Sequence, residues 1–409
     1  MTSLPLSSNP TSLVVLLAPS ANQVYAHDAP RLAAAELAIV LGLPVSPVTL
    51  AGVDYLELAV AKPVVGSDGS AQLAELLDKV ARSSATLAVF QRHLGPDSTV
   101  WLQPLALPPL SVDDDLVTIP KYPGKTNPQF TRLLLNVTLS QVDRSLTSKP
   151  LTVLDPMCGR GTTLTPAWLL GHDAAGVEIE TAAVEAMAAF LKTYLRRKRY
   201  KHQATVAPVR REGKVLGKRL DVTASLPAPR PREDGVLRSQ ESLGVMDSLP
   251  ASDARGDSDP RSQEGLDFTT AWPTPSPAVG SVAQRSLTVF TGDTRQSAAL
   301  FGKKRFPAIV VDAPYGVVHG SRSDVRDDRR RDRSAAALLR QAIPVWASQL
   351  AVGGALGLSW NSLGWPREEV LDCLAAAGLE PRDGGPWSDL AHRVDSSIRR
   401  DVVVAVKAV

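Results

Sequence analysis

The chain has 409 residues, 44% of them apolar and 21% charged; this usage excludes a collagen-like or wholly disordered polymer, and the length implies two domains and a linker. Lys and Arg exceed Asp and Glu by only 45 − 42 = 3, so any nucleic-acid signal must be local rather than global. Cys158 and Cys373 lie far apart and lack zinc-type spacing, which excludes a disulfide scaffold and a cysteine metal site.

The first apolar run, residues 13–18, is far shorter than the ~20 residues of a membrane span. No Lys or Arg precedes Arg31 to form a signal n-region. The run therefore predicts a buried strand, no membrane attachment and a cytoplasmic protein. Asp28 is the expected cap of a following helix, with Pro30 in its first turn, apolar Leu32, Leu37, Val40 and Leu41, and a stop at Gly42. Residues 1–110 thus read as a smaller α/β domain suited to substrate binding. A Leu/Pro-rich stretch at 105–110 and Asp113, Asp114 and Asp115 form the connector to a second domain, 111–409.

From residue 151 the text changes to short apolar or β-branched runs at 151–154, 175–179, 287–290, 308–311, 355–360 and 402–406. Helical spacing lies between several of them. One stripe carries Ala183, Met187, Phe190, Leu191 and Tyr194, and another carries Leu339, Ile343, Trp346 and Leu350. A third helix is expected from Pro366, with Glu368 and Glu369 near its N-terminus and a stop at Gly378. This alternation predicts an α/β fold, a mostly parallel twisted sheet with helices on both faces. Residues 224–284, dense in Pro, Ser, Asp, Gly and Arg without periodicity, read as a disordered insertion on the surface of the second domain.

The densest chemical signal is Asp155-Pro156-Met157-Cys158-Gly159-Arg160-Gly161-Thr162-Thr163, between a strand and a helical run ending near Gly171. Glycines let such a loop turn sharply and approach a ligand, at the strand ends where open parallel sheets bind. Glu178 ends the next strand, about 20 residues on, where a carboxylate holds ribose hydroxyls. The ligand should therefore contain a nucleoside. A nicotinamide fingerprint would need a third glycine where Leu164 stands, and Gly124-Lys125-Thr126 lacks the glycine of a phosphate loop at Ile119. Asp293, after another strand, offers an acceptor for an adenine amino group, against the plainer reading of Gly292-Asp293 as a turn. Asp312-Ala313-Pro314-Tyr315-Gly316 also follows a strand. There a carboxylate and the Ala313 carbonyl can accept from an exocyclic amine while Tyr315 stacks on the ring; Pro314 holds Ala313 extended. The bland alternative is a capped turn. Trp360 and Trp365 read as core residues before they read as pocket walls.

Together these loops resemble those of the S-adenosylmethionine-dependent amino-methyltransferases, which carry Asp-Pro-x-Cys-Gly-x-Gly-Thr and Asp-Pro-Pro-Tyr-Gly. The segment from Tyr122 to Asn136, Tyr-Pro-Gly-Lys-Thr-Asn-Pro-Gln-Phe-Thr-Arg-Leu-Leu-Leu-Asn, is similar to the one preceding the cofactor loop in the tRNA guanine-N2 methyltransferase branch. His392-Arg393-Val394-Asp395 is also family-like. The resemblance spans residues 121–409, apart from the insertion. It implies a Rossmann-like class I methyltransferase fold and S-adenosyl-L-methionine as cofactor. By it, Asp155, Gly159, Gly161 and Thr162 line the cofactor, Glu178 its ribose and Asp293 its adenine. Asp312, Pro314 and Tyr315 form the catalytic set, and no metal is called for. Ala313 stands where the family has its first proline, but the useful group there is a backbone carbonyl.

The implied activity is methyl transfer to an exocyclic amino group of a nucleic-acid base, with guanine N2 in tRNA the leading target. A DNA adenine-N6 or cytosine-N4 methyltransferase shares both loops. A non-catalytic nucleic-acid-binding module that retains the fold is the alternative from another class, and a small-molecule amine is a further substrate. Two basic runs bear on the partner: Lys192, Arg196, Arg197, Lys198, Arg199 and Lys201, and Arg329, Arg330, Arg331 and Arg333. Such groups bind phosphates, although charge runs are commonly solvated faces, and Asp324, Asp327, Asp328 and Asp332 offset the second run. His319 reads as a surface residue.

Overall fold

The computed structural model describes residues 10–59, 67–95, 99–110, 112, 115–118, 126–147, 150–211, 214–227, 282–314 and 335–408. The N-terminal part forms β1 (Pro10–Leu17), α1 (Gln23–Leu41), β2 (Val45–Leu50), β3 (Val53–Leu58), α2 (Ser67–Arg82), β4 (Thr86–Leu94) and β5 (Val100–Leu105). Its strands pair antiparallel throughout in the order β2-β3-β1-β4-β5. The first apolar run becomes the central strand β1, and Val14 and Val15 are fully buried.

Helix α1 starts five residues before Asp28. Asn22 caps it instead, its Oδ1 accepting from the Tyr25 N–H at 3.1 Å. Asp28 lies within the helix and pairs with Arg31 at 2.9 Å, and Pro30 is interior. The added turn buries Tyr25 and Ala29 in the large core, which offsets the interior proline's missing hydrogen bond. Gly42 ends the helix in the left-handed region, φ 67°. Ala33 and Leu37 face the N-terminal core, while Leu32 and Ala35 join the large one, so α1 is a wall common to both.

The rest of the chain forms α3 (Asp115–Thr118), α4 (Pro128–Leu139), β6 (Thr152–Asp155), α5 (Leu164–Leu169), β7 (Asp173–Glu178), α6 (Thr181–Arg197), β8 (His202–Arg211), β9 (Lys214–Pro227), β10 (Val282–Thr291), α7 (Ser297–Phe301), β11 (Phe306–Asp312), α8 (Ala335–Gln349), β12 (Leu350–Asn361), α9 (Arg367–Ala376), β13 (Glu380–Arg382), β14 (His392–Arg393) and β15 (Arg399–Val406). The large sheet runs β13-β15-β12-β11-β6-β7-β10-β9-β8, with β14 on β15. Its five central strands, β12, β11, β6, β7 and β10, are parallel. β15 runs antiparallel to β12 and β13, and β9 antiparallel to β10 and β8.

Side chains along the central strands alternate between two layers, as a period of two requires. Val153, Val310, Ala355 and Val404 meet the layer that contains Phe130 of α4, Trp168 of α5 and Leu191 of α6. Leu154, Ile309, Leu356 and Val403 meet Trp346 of α8 and Leu374 of α9. Helices on both faces of a mostly parallel sheet make the fold α/β and Rossmann-like. The three expected helices are present as α6, α8 and α9. Among the described residues no helix is long and apolar enough to cross a membrane.

The β8–β9 pair has no counterpart in the sequence reading. In β9, Leu220, Val222, Ala224 and Leu226 alternate inward, while β8 is mostly exposed and carries Pro208 and terminal arginines. The expected insertion shortens accordingly. Its first residues, Ala224 to Pro227, pair with Arg285 to Val282 in the ladder between β9 and β10, because Ala224 and Leu226 have core to fill. Residues 228–281 lie outside the described residues.

A buried polar junction joins the two sheets. Glu36, fully buried on α1, accepts from the Ser84 N–H at 2.9 Å, from the Ser84 hydroxyl, and from Asn136 Nδ2 at 2.7 Å. Asn136 also donates to the Arg82 carbonyl, and Arg132 donates to the Arg82 and Ala81 carbonyls. Glu36→Ala strands those donors, so it should lower stability by about 2–3 kcal/mol in urea unfolding. A loss below roughly 0.5 kcal/mol, the usual size of a surface substitution, would show that the junction carries no load.

Candidate active site

Parallel strands place all their carboxyl ends on one edge of the sheet. The chain leaves β6 toward β7 and leaves β11 toward β12, in opposite directions, so the connections that follow the two strands part at the gap between β6 and β11. Asp155 ends β6, Glu178 ends β7, Asp312 ends β11, and Asp293 follows β10. Residues distant in sequence are thereby brought to one edge of the sheet.

The glycine loop is braced from beneath. Asp155, 2% exposed, accepts at Oδ1 from the Met157 N–H at 2.9 Å and at Oδ2 from the Thr163 hydroxyl. These bonds hold the loop's two ends to the strand that delivers it. The Cys158 N–H donates to the Val177 carbonyl at 3.0 Å, and the Gly159 N–H to Glu178 Oε2 at 2.8 Å. Gly159 and Gly161 have φ of 52° and 81°, a region other residues enter only with strain. A Cβ on Gly161 would lie 3.1 Å from Met187 Sδ, whereas one on Gly159 would meet nothing within 4 Å. Below the loop, a Cβ on Gly176 would fall 2.7 Å from Cys158 Sγ, so β7 must be bare there for the loop to lie flat.

Glu178 accepts at Oε1 from the Glu180 N–H at 2.8 Å and at Oε2 from Gly159. Each carboxylate oxygen retains acceptor capacity for a ligand hydroxyl. Burial raises its pKa. Asp155 is pushed up to about 7, first by burial and further by the charges of Asp312 and Glu178, against the opposing bonds from Thr163 and Met157. Asp155, Glu178 and Asp312 are thus close enough for their charges to act on one another.

Across the gap, Thr126 Oγ1 donates to Asp312 Oδ2 at 2.7 Å. Thr126 immediately precedes Asn127, which caps α4 by accepting from the Gln129 N–H at 2.9 Å. Ala313 is buried and its N–H donates to the Ser359 carbonyl at 2.9 Å, extending β11 one residue along β12. Pro314 follows, exposed. Ser359 stands opposite Asp312 in the parallel register; its buried Oγ has no partner among the described residues. Tyr315 lies outside the described residues, as do Gly316, His319, the run Arg329 to Arg333, and Tyr122 to Lys125.

Asp293 is positioned at the end of β10 but is already engaged. It caps a short turn through the Arg295 N–H at 2.8 Å, and Arg295 Nη2 sits 2.6 Å from Oδ2. Those bonds lower its pKa. Thr162 is half-buried in the loop. Trp360 and Trp365 are core, each 2% exposed, with Trp360 Nε1 donating to the Trp365 carbonyl at 2.8 Å. Thr126, Thr163 and Ser359 were not singled out as site residues from sequence. Thr163 carried a local signal, a second hydroxyl directly after Thr162; Thr126 and Ser359 meet Asp312 only through the fold.

No protein-family model and no curated protein matches the chain. Among solved structures it is similar to a TehB-like SAM-dependent methyltransferase from Corynebacterium glutamicum, with 11% identity, TM-score 0.30, 64% of this chain and 84% of that one covered. It is also similar to TrmN from Thermus thermophilus, at 14% identity and TM-score 0.33, covering 75% of this chain and 56% of that one. A third likeness is to the rRNA methyltransferase AviRa from Streptomyces viridochromogenes, at 13% identity and TM-score 0.34, covering 73% and 91%. Likenesses this distant add nothing to what strand order already says of the fold.

The buried carboxyl at the crevice predicts a pH signature. Its pKa is about 7 in the folded chain against the ordinary 3.8 of an aspartate, so between those values the folded state holds a proton that the unfolded state has lost. Stability from this group therefore falls as pH rises from about 4 to about 7 and is level above. Urea unfolding of wild type and Asp155→Asn across pH 5–8 should show wild type losing ground, by a few kcal/mol at most. Parallel pH profiles for the two proteins would remove Asp155 as the titrating group.

Proposed function

We propose that the protein is an S-adenosyl-L-methionine-dependent N-methyltransferase acting on an exocyclic amino group of a nucleic-acid base, with guanine N2 in tRNA as the target the sequence resemblance favours. The observation that supports this reading is that β6 and β11 are adjacent and parallel, so that Asp155 and Asp312, which open the two motifs, end neighbouring strands. The cofactor fits the residues present. Gly159 has open space above its Cα, and Glu178 has acceptor capacity for ribose hydroxyls. Asp155 then acts as the brace that shapes the loop, with Gly159, Gly161 and Thr162 lining it. Asp293 reaches an adenine amino group once Arg295 yields an oxygen.

Bound S-adenosylmethionine supplies a methyl group activated by positive charge on sulfur. The remaining work falls to the chain. Asp312 and the Ala313 carbonyl accept hydrogen bonds from the target amine, aiming its lone pair across the crevice. Asp312 would accept the proton that the nitrogen sheds on taking the methyl group. Thr126 orients Asp312, and the bond from the Ala313 N–H to Ser359 holds the peptide whose carbonyl does the aiming. Pro314 restricts Ala313 to extended geometry, so alanine in place of the first proline leaves that carbonyl's direction constrained. Tyr315 stacks on the base.

The test is incubation with methyl-labelled S-adenosylmethionine and, separately, unmodified tRNA, ribosomal RNA and DNA, read by nucleoside mass spectrometry. N2-methylguanosine from tRNA is the expected product. Label in a DNA base would overturn the RNA assignment, and no transfer to any pool would overturn the reading. Asp312→Ala should cut turnover by roughly 10²-fold or more while leaving cofactor affinity close to wild type, since Asp312 lies outside the glycine loop. Retained turnover removes Asp312 from catalysis.

A further inference from the structure

Helix α6 begins directly after β7 at the crevice and runs 17 residues, ending about 25 Å away at the opposite edge of the sheet. There Lys192, Thr193 and Arg196 form one wall of a cleft of about 280 Å³, and His202 and Ala204 of the edge strand β8 form the other. Lys192 and Arg196 are a like-charge pair four residues apart, a spacing that opposes the helix rather than supporting it. The nearby carboxylates are already committed: Asp115 to Lys198 at 2.5 Å, and Glu185 to Lys218 at 2.5 Å. Among the described residues none pairs with Lys192, Arg196, Arg197, Arg199 or Lys201.

The helix dipole explains cations in the last turn, at Arg196 and Arg197. It does not explain Lys192, more than a turn earlier, nor Lys201 and His202 arriving from the next strand. Arg199 stands just past the end of α6, beyond the residues that line the cleft. The Arg199 N–H donates to the Arg196 carbonyl and the Tyr200 N–H to the Leu195 carbonyl, the Schellman arrangement whose left-handed position favours glycine. Arg199 holds that position at φ 56°, so a cation is kept where the backbone prefers no side chain.

We infer that the cleft between α6 and β8 is a phosphate subsite for the backbone of a polynucleotide substrate whose target base enters the crevice. This deepens the proposed function and rests on it. A small amine cannot reach both places, whereas a duplex carries roughly seven phosphates per strand over such a distance. The subsite would give affinity and register, leaving base choice to the crevice.

The experiment measures binding of unmodified tRNA, duplex DNA and inorganic phosphate over 50–200 mM salt, for wild type, Lys192→Glu/Arg196→Glu and Arg199→Gly, with S-adenosylmethionine affinity determined in parallel. Wild type should bind polynucleotide with a steep salt dependence. The double variant should bind at least about tenfold more weakly, its log–log slope lower by roughly 1.5, since each phosphate contact contributes about 0.7–0.9. Arg199→Gly should melt at the same or a higher temperature yet also bind more weakly, a combination that a structural role would not produce. Unchanged slopes in both variants for both polynucleotides overturn the subsite, as does saturable binding of phosphate with none of polynucleotide. Cofactor affinity reports separately on the methyltransferase reading: its absence, with the slope change intact, sinks that reading and leaves the cleft.

Discussion

Everything placed at the crevice depends on one topological constraint, the reversal of chain direction between β6 and β11. A parallel sheet wound from its middle outward must leave an uncovered gap where the two windings part. The residues ending β6, β7 and β11 are Asp155, Glu178 and Asp312. The sheet thus converts three strand ends, separated by more than 150 residues of chain, into one acidic cleft. Moving any strand by one position would send its carboxylate to a different neighbour.

Concentrating negative charge has an electrostatic cost, and the local structure shows how it is distributed. Asp155 is withdrawn from solvent, which raises its pKa to about 7 against the opposing bonds from its own loop. Glu178 is bonded by two backbone N–H groups yet keeps acceptor capacity outward. Asp312 is more exposed than Asp155 and accepts a hydrogen bond from the Thr126 hydroxyl. Three residues of one charge type therefore occupy three distinct environments.

Helix α4 links the crevice to the N-terminal sheet. Thr126 touches Asp312, Gln129 donates to the Ala18 carbonyl, and Asn136 joins the buried Glu36 and Ser84. Disturbing the N-terminal sheet should therefore be felt at Asp312 through α4, without direct contact. That coupling gives the N-terminal part a structural task whatever it binds.

The alternation of short apolar runs with helical stripes was sufficient to anticipate the α/β class, the central strands and helices α6, α8 and α9, because those signals are local and period-bound. The tight turn after β6 was also legible, since Gly159 and Gly161 take positive φ there. Less legible were elements stabilised by partners rather than by their own pattern. Helix α1 extends past Pro30 because Tyr25 and Ala29 find a distant core, and β8 is held by β9 although its own residues are mostly exposed. Thr126 and Ser359 belong to Asp312 through contacts across 186 and 47 residues of chain. Sequence by itself determined which chemical groups this protein carries and that they end strands. Only the tertiary structure decided which strands are neighbours, because hydrogen-bonded order across a sheet depends on non-local packing that no short stretch of residues encodes.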